Sequence, residues 1–335
     1  MAAVSASLFS AWATWPPGLV GPLAVLVALG VDRCCGEPAA RWHPVVWMGA
    51  YLAWAGRRTA PLVPAAGSNE RQAFWRGALA WVVGALVVLL SAWAVVWLLD
   101  AAPVWLQALL LGLLLKPLLS WRMLRDEVAA VEAALRDSLV AGRTRLAWLV
   151  SRDVTLLDAA QVRESAIETL AENLNDSVLA PLFWFAVAGL PGAALYRFAN
   201  TADAMWGYRG ERQGRDWTWA GQWAARADDA LSWLPARLTA ALLGLCSRSV
   251  AWHRLPAQAR QTESPNSGWP MAAMALALGV QLSKPGAYRL NPAGRCPQAA
   301  DTARALQLAA RLVWGLAWLA GAIFALVLVW TGARP

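Results

Sequence analysis

Two stretches of this 335-residue chain run without a charge or a proline for long enough to cross a bilayer: Ala78–Leu99, 22 residues, and Leu312–Trp330, 19 residues. A spanning helix needs about 20 apolar residues, because each adds about 1.5 Å to a hydrocarbon layer about 30 Å thick. In water such helices would expose apolar surface on every side. The chain has little polar surface to hide them with: 15% of its residues are charged and its mean hydropathy is +0.42. A disordered chain, a disulfide scaffold and an ordinary soluble globule are thereby excluded. The 23 tryptophans fit the same reading, since indole rings favour positions apolar on one side and wet on the other.

Two more spans are expected. Trp15–Val31 is the first, with Pro16, Pro17 and Pro22 near its start. Val104–Trp121 returns after the tight turn Asp100–Pro103, with Lys116 near its end, where it can snorkel. Ser177–Ala199 is interrupted by Pro181 and by Gly189-Leu190-Pro191-Gly192, Leu231–Cys246 by Pro235 and Arg237, and Trp269–Leu282 is short. The expected fold is an all-α integral membrane protein. It has about four full transmembrane helices, re-entrant or interfacial helices and a cytoplasmic helical region. One membrane domain over residues 1–335 would comprise three spans in 15–121, a cytoplasmic loop 32–76, a cytoplasm-facing region 122–304 and a last span 312–330. The orientation follows from six arginines in 32–76 against no basic residue in 100–103. Met1–Val31 carries no charge, so it lacks the basic start of a secretory signal.

The net charge is +8, and only Lys116 and Lys284 among the 29 basic residues are lysines. The arginine excess fits codon bias or a preference for phosphates and anionic headgroups. The arginines are scattered and no recognition motif accompanies them, so nucleic acid is not an expected partner. Cys34, Cys35, Cys246 and Cys296 lack metal-ligand spacing, which suits a reduced, cytoplasm-facing setting.

The charges gather in one region. Between Arg122 and Asp176 lie seven arginines and ten acids. Arg122–Ala141 reads as an amphipathic helix with Val128, Val131 and Leu135 as its apolar stripe, and Gly142–Val154 as a loop. Thr155-Leu-Leu-Asp158 resembles a capping box opening a helix to about Asn173. On that helix Glu164, Glu168 and Glu172 share a face at four-residue spacing, Asp176 continues the series, and Val162, Ala166, Leu170 and Leu174 lie opposite. Like charges four apart repel by a few tenths of a kcal/mol per pair. The stripe is either a solvated face, with Arg163 and nearby loops offsetting the repulsion, or a Mg²⁺ site, since hard cations take carboxylate oxygens and bridge phosphates.

Other polar groups are shorter. Asn200-Thr-Ala-Asp203 follows a broken apolar segment. Asp228-Asp229 is either a helix N-terminal decoration or a second metal ligand set. Tyr208-Arg209-Gly-Glu211-Arg212 is a polar loop able to grip an anion. Ser264-Pro-Asn266-Ser-Gly268 is turn chemistry that could offer backbone N–H groups to a phosphate. His43 stands in Trp42-His43-Pro44-Val45, either structural or binding. No GxxxxGK[ST] or GxGxxG sequence occurs, so a P-loop or Rossmann turn does not hold any nucleotide.

Together these segments resemble the adenosylcobinamide-phosphate synthase family of cobalamin-biosynthesis membrane proteins. The matching stretches are Asp32…Gly36-Glu37-Pro38…His43-Pro44-Val45, Ser151-Arg152-Asp153, Glu168-Thr-Leu-Ala-Glu172-Asn173…Asp176 and Ala180-Pro-Leu-Phe-Trp184. They continue with Asn200-Thr-Ala-Asp203-Ala-Met205…Gly207-Tyr208…Glu211-Arg212, Ala227-Asp228-Asp229…Trp233-Leu-Pro-Ala-Arg237 and Ser264–Pro270. Order and spacing agree over roughly Leu29–Tyr288. The chain departs from the family pattern at Glu37, where an aspartate is usual, at Ala202 and Ala204, and at Ser151.

The resemblance implies an ATP- and Mg²⁺-dependent ligase joining adenosylcobyric acid to (R)-1-aminopropan-2-ol or its O-phosphate. Under it, Glu168, Glu172 and Asp176 become metal ligands. Asp153, Asp203, Asp228 and Asp229 become catalytic groups or a second metal position. His43, Arg152, Asn173, Asn200, Tyr208, Arg209, Arg212, Ser264 and Asn266 become substrate- or nucleotide-binding residues. The implied location is the cell inner membrane with a cytoplasmic catalytic face, in contact with lipid. Homo-oligomerisation or contact with other cobalamin-assembly enzymes fits the same setting. Trp184, Trp206, Trp233 and Trp269, beside the acidic motifs, would line a pocket for the corrinoid. The rival class is a membrane transporter or signalling accessory protein, which would place its ionisable residues inside the spans. Because ATP is cytoplasmic, Ser177–Ala199 is expected to fold back at Gly189–Gly192 and leave Asp176 and Asp203 on one side.

Overall fold

The computed structural model describes residues 18–63, 69–247 and 250–332, and helices dominate them. Residues 15–17 of the expected first span lie outside this set. Five helical stretches are long and apolar enough to cross a membrane: Glu70–Leu99, Val104–Asp137, Ala159–Trp206, Gln222–Ser247 and Ala299–Trp330. The chain divides into two compact units. One comprises Met1–Leu119, Pro181–Ala230 and Leu316–Pro335, and the other Ser120–Ala180 and Leu231–Gly315.

In the first unit, α1 (Val20–Cys35) packs along α4 (Val104–Leu115). At 16 residues α1 reaches about 24 Å, less than the hydrocarbon thickness, so the expected first span is not among the five. The expected loop 32–76 contains a further helix, α2 (Pro44–Thr59). Pro44 sits at its first position, where the missing N–H costs nothing. Met48, Leu52 and Ala55 repeat at helical spacing and are buried. The arginines around this stripe hid it. α3 (Glu70–Leu99) absorbs the first charge-free run, and its N-cap Asn69 Oδ1 accepts from Gln72 N at 3.2 Å. Leu79, Val87 and Leu90 on it are exposed apolar side chains, as a lipid-facing surface requires.

α4 stops earlier than expected. Lys116–Leu118 tighten into a 3₁₀ turn containing Pro117 and Leu119 is extended, so Trp121 opens the next helix. Trp121 is buried.

α8 (Ala180–Trp206) is two arms joined at a break. Ala188 and Gly189 leave helical geometry, Gly189 with φ +63°, a region open mainly to glycine. A Cβ built on Gly192 would fall 2.5 Å from Trp184 O. In a continuous helix residues eight apart stand about 12 Å from each other, so the chain reverses here, as the Gly-Leu-Pro-Gly run predicts. The second arm carries Phe198 against Tyr51 and Trp81, and Trp206 against Trp217. A short hairpin, β1 (Glu211–Arg212) with β2 (Arg215–Asp216), is held by Arg215 Nη1 donating to Ala60 O at 2.6 Å. α9 (Gln222–Ser247) begins in this unit and continues into the second.

In the second unit, α5 (Trp121–Asp137) ends at extended Ser138, whose hydroxyl accepts from Ala141 N and caps α6 (Leu139–Leu146). The single helix expected over 122–141 is therefore two, and the loop after it begins later. α7 (Ala159–Leu174) is capped by Asp158, not Thr155. Asp158 and Gln161 form the capping box, one register on from the expected one. Val162, Ala166, Leu170 and Leu174 are buried, as predicted. Glu132 on α5 receives both Nε and Nη2 of Arg163, at 2.9 and 3.0 Å, and Thr302 Oγ1 at 3.0 Å. Arg163 thus serves α5 rather than the acid stripe on its own helix. The unit is completed by α10 (Leu255–Ala259), α11 (Gly268–Leu278), the hairpin β3 (Leu282–Lys284) with β4 (Tyr288–Leu290), and the start of α12 (Ala299–Gly332).

Candidate functional site

The acid stripe on α7 is not a solvated face. Glu164 is 2% exposed and Glu168 4%, because α11 and the β3–β4 hairpin pack over them. Glu164 accepts from Ser283 N at 2.8 Å and from its hydroxyl. Glu168 Oε2 accepts from Arg152 Nη2 at 3.1 Å, and the same nitrogen also donates to Ser165 Oγ. Tyr288 lies beside Glu168, with its hydroxyl donating to Met271 Sδ at 3.8 Å. Three polar atoms here are buried and lack a hydrogen-bond partner: Arg152 Nε, Arg152 Nη1 and Glu168 Oε1. Buried polar atoms are nearly always paired, so such a concentration marks a place for a ligand.

Three acids and an arginine in 16 residues exclude α7 itself from any membrane span; the apolar run of this stretch begins beyond Asp176. In this setting burial raises the Glu168 carboxyl to about 7, opposed mainly by Arg152. Burial raises Glu164 as well, partly offset by Ser283. Burial and the negative charges of Glu168 and Glu172 push the Tyr288 phenol up.

Beyond Leu174 the helix widens into a π-turn, Asn175–Leu179. Buried Asn175 donates to Asp176 Oδ1 at 2.8 Å and accepts from Thr239 Oγ1 at 2.9 Å, so it fixes the Asp176 carboxylate. Glu172 and Asp176 are half-buried. Asn173 donates to Thr169 O at 3.0 Å.

Other expected residues of this unit have local structural partners. Asp153 is exposed and accepts from Thr155 N at 2.8 Å, a contact that holds its carboxyl below the usual range and weakens it as a base. Ser264 Oγ accepts from the backbone N–H of Asn266 and Ser267, which are therefore not offered to a phosphate. Asn266 is buried and accepts from Arg237 Nη1 at 3.1 Å. Arg237 lies between the Trp233 and Trp269 rings, 4.2 and 4.7 Å from their centroids. These two tryptophans clamp an arginine while Trp233 stays 53% exposed, and Trp206 is buried against Trp217, so Trp206 lacks the open face expected of a corrinoid-lining ring.

The first unit holds a second polar group. Asn200 Nδ2 reaches Asp228 Oδ1 at 3.5 Å, a long contact. Asp203 lies on the last turn of α8, and Gly207 N donates to its carbonyl at 2.7 Å. Arg212 stacks 3.7 Å over the Tyr208 ring, with its Nη1 buried and without a partner. Asp228 and Asp229 fall in the second turn of α9, so they do not decorate its N-terminus. His43, the remaining expected binding residue, contacts Glu37 at 3.2 Å.

Among the described residues no three His, Cys, Asp or Glu side chains converge to hold a metal ion. Glu168 in particular does not fit as a ligand: a guanidinium occupies one oxygen, and burial favours its neutral form. Glu172 and Asp176 are the half-buried carboxylates of the stripe. Tyr288, Ser283, Asn175, Thr239 and Arg237 were missed by sequence reasoning. Only Asn175 carried a signal there, as an amide beside an acid in a polar run.

An all-helical membrane protein with its ionisable side chains gathered in partly buried clusters is the class these features define. The chain belongs to the CobD/Cbib protein family, whose model matches residues 25–313. It is 37% identical over 319 residues to the cobalamin biosynthesis protein CobD of Rhodobacter capsulatus, covering 89% of this chain and 96% of that one. It is 39% identical over 314 residues to the protein of that name from Chromobacterium violaceum, covering 90% and 96%. The probable cobalamin biosynthesis protein CobD of Methanothermobacter thermautotrophicus is 38% identical over 274 residues, covering 80% of this chain and 86% of that protein. No solved structure matches.

Proposed function

We propose that the protein acts in cobalamin biosynthesis as an ATP-dependent ligase. It joins a propionate carboxylate of adenosylcobyric acid to (R)-1-aminopropan-2-ol or its O-phosphate, giving adenosylcobinamide or its phosphate. Family membership and the names of the relatives support the pathway. The observation that carries the chemistry is Arg152, a mostly buried guanidinium with two nitrogens unpartnered beside the unpartnered oxygen of Glu168.

An unactivated carboxylate does not form an amide in water at a useful rate. Transfer of the ATP γ-phosphoryl group to the carboxylate oxygen, with ADP leaving, makes an acyl phosphate. The amine lone pair then forms the C–N bond, inorganic phosphate leaves and the amine gives up a proton. Arg152 Nε and Nη1 hold phosphoryl oxygens through charge-assisted hydrogen bonds. Glu168, titrating near neutrality, receives the proton at Oε1. Mg²⁺ entering with the nucleotide supplies charge compensation on the phosphates, and Glu172 and Asp176 are the residues to hold it. The reading places the catalytic face in the cytoplasm, at the inner membrane, where ATP is available.

The test is turnover by the purified full-length protein in detergent or nanodiscs, given ATP, Mg²⁺, adenosylcobyric acid and aminopropanol phosphate. Formation of ADP and the amide product is expected, with loss of both in Arg152→Met. No ATP consumption by the folded wild-type protein overturns the reading and revives the transporter class.

A further inference from the structure

The first unit holds a cavity of about 300 Å³ between α2, α3, the turn after α4 and the second arm of α8. Met48, Ala92, Leu118 and Ala194 form its buried floor. Gly84 brings the helices together at one end: a Cβ built on it would fall 2.5 Å from both the Phe198 and the Tyr51 rings. The cavity is open where Trp47 and Val87, at the edges of α2 and α3, are 55% and 58% exposed.

Its position decides what can fill it. The α3 lining runs from Gly84 to Val95, well inside the span Glu70–Leu99. That stretch of helix rises about 18 Å, more than half of a hydrocarbon layer about 30 Å thick. Val87 at the mouth stands three residues from Leu90, an exposed apolar side chain on the same helix surface, so the mouth opens on lipid.

The chemistry of the walls narrows the occupant further. Among the described residues that line the cavity none is charged. Tyr51 hydroxyl donates to Ala80 O at 2.7 Å and Trp47 Nε1 to Arg41 O at 3.0 Å, so both donors are already used. A nucleotide or a corrinoid would strand its polar groups here, and a cavity this apolar does not hold water. A free fatty acid would bring a carboxylate with no cation on the walls to meet it. A phospholipid leaves its headgroup at the surface and brings in hydrocarbon alone. The chain comes from one apolar medium to another, so dispersion contact with the walls is what holds it.

We propose that this groove binds one acyl chain of a membrane phospholipid, which exchanges more slowly than the lipid around the protein. The site goes beyond the ligase reading and does not depend on it.

The experiment places the full-length protein in phosphatidylcholine nanodiscs with a trace of phosphatidylcholine carrying a diazirine on one acyl chain. Irradiation is followed by mass-spectrometric mapping of the label. In nanodiscs, label is expected on Ser91 and Ala194 in the groove and on Leu79 and Leu90 outside it. Transfer of the loaded protein to dodecyl maltoside before irradiation should leave the groove label and lower the outer label about tenfold, because the outer lipid leaves faster. Equal loss at all four positions overturns the site. Ser91→Phe, at the exposed edge of the groove, fills it without touching the packed floor. It should remove the label from Ala194 and keep that on Leu79, and unchanged label on Ala194 overturns the geometry. Palmitic acid bearing the same diazirine should label the outer positions only, and groove labelling by it overturns the choice of a phospholipid. None of these readouts involves ATP, so failure of the ligase reading would leave them unchanged.

Discussion

Replacing Glu168 with glutamine keeps the shape of the side chain and removes its proton equilibrium. In the folded protein this carboxyl is 6% exposed, faces Arg152 at 3.1 Å, and is raised to about 7 from its ordinary 4.5. Between those two values the folded state binds a proton that the unfolded chain has released. Stability is therefore fully present below pH 4.5 and is lost as pH rises toward 7. The shift corresponds to about 3 kcal/mol at about 1.4 kcal/mol per pH unit. A glutamine in its place carries no such loss. The melting temperatures of wild type and Glu168→Gln in the same detergent, from pH 5 to pH 8, should diverge in favour of glutamine as pH rises. At about 2 °C per kcal/mol for a chain this size, the divergence should reach several degrees. Taking the difference between the two proteins cancels every other titrating group. A difference that stays flat with pH, or that favours glutamate at pH 8, would refute both the burial argument and the role of Glu168 as a neutral-pH proton acceptor.

Further expectations follow from single contacts. Glu132→Ala leaves Arg163 and Thr302 unpaired and should cost about 3–5 kcal/mol, whereas Asp126→Ala at the exposed Arg125 pair should change stability by less than about 1 kcal/mol. Chemical denaturation of the three proteins in one detergent compares these. Asp158→Ala removes the capping box of α7 and should cost about 1 kcal/mol by the same measurement. Single cysteines at positions 176 and 210 should label from one face of oriented vesicles, and labelling from opposite faces would remove the folded-back arrangement at Gly189. Glu172→Ala and Asp228→Ala should abolish product formation with membrane insertion intact, and wild-type turnover in both would sink their assignment.

Hydropathy and composition determined that this is a membrane protein and located the two most apolar spans, because an unbroken charge-free run of bilayer length has no other stable setting. Local sequence also determined the reversal at Gly189–Gly192, where glycine and proline break the helix whatever surrounds it, and the buried stripe of α7, where a 3.6-residue period is intrinsic to the backbone. The helix Pro44–Thr59 was hidden because its arginines read as loop, although its apolar spacing was present. What Glu164 and Glu168 do was decided by tertiary structure alone. Their four-residue spacing suits a metal site or a solvated face equally, and a hairpin more than 100 residues later buries them and brings Ser283 and Tyr288 to them. Lys116 shows the same limit. A lysine at the end of an apolar segment reads as snorkelling until packing of α1 along α4 places Asp32 and Glu37 against it. Charge and periodicity are properties of the chain, but the partner that sets a buried group's ionisation comes from elsewhere in the sequence and is known only once the chain has folded.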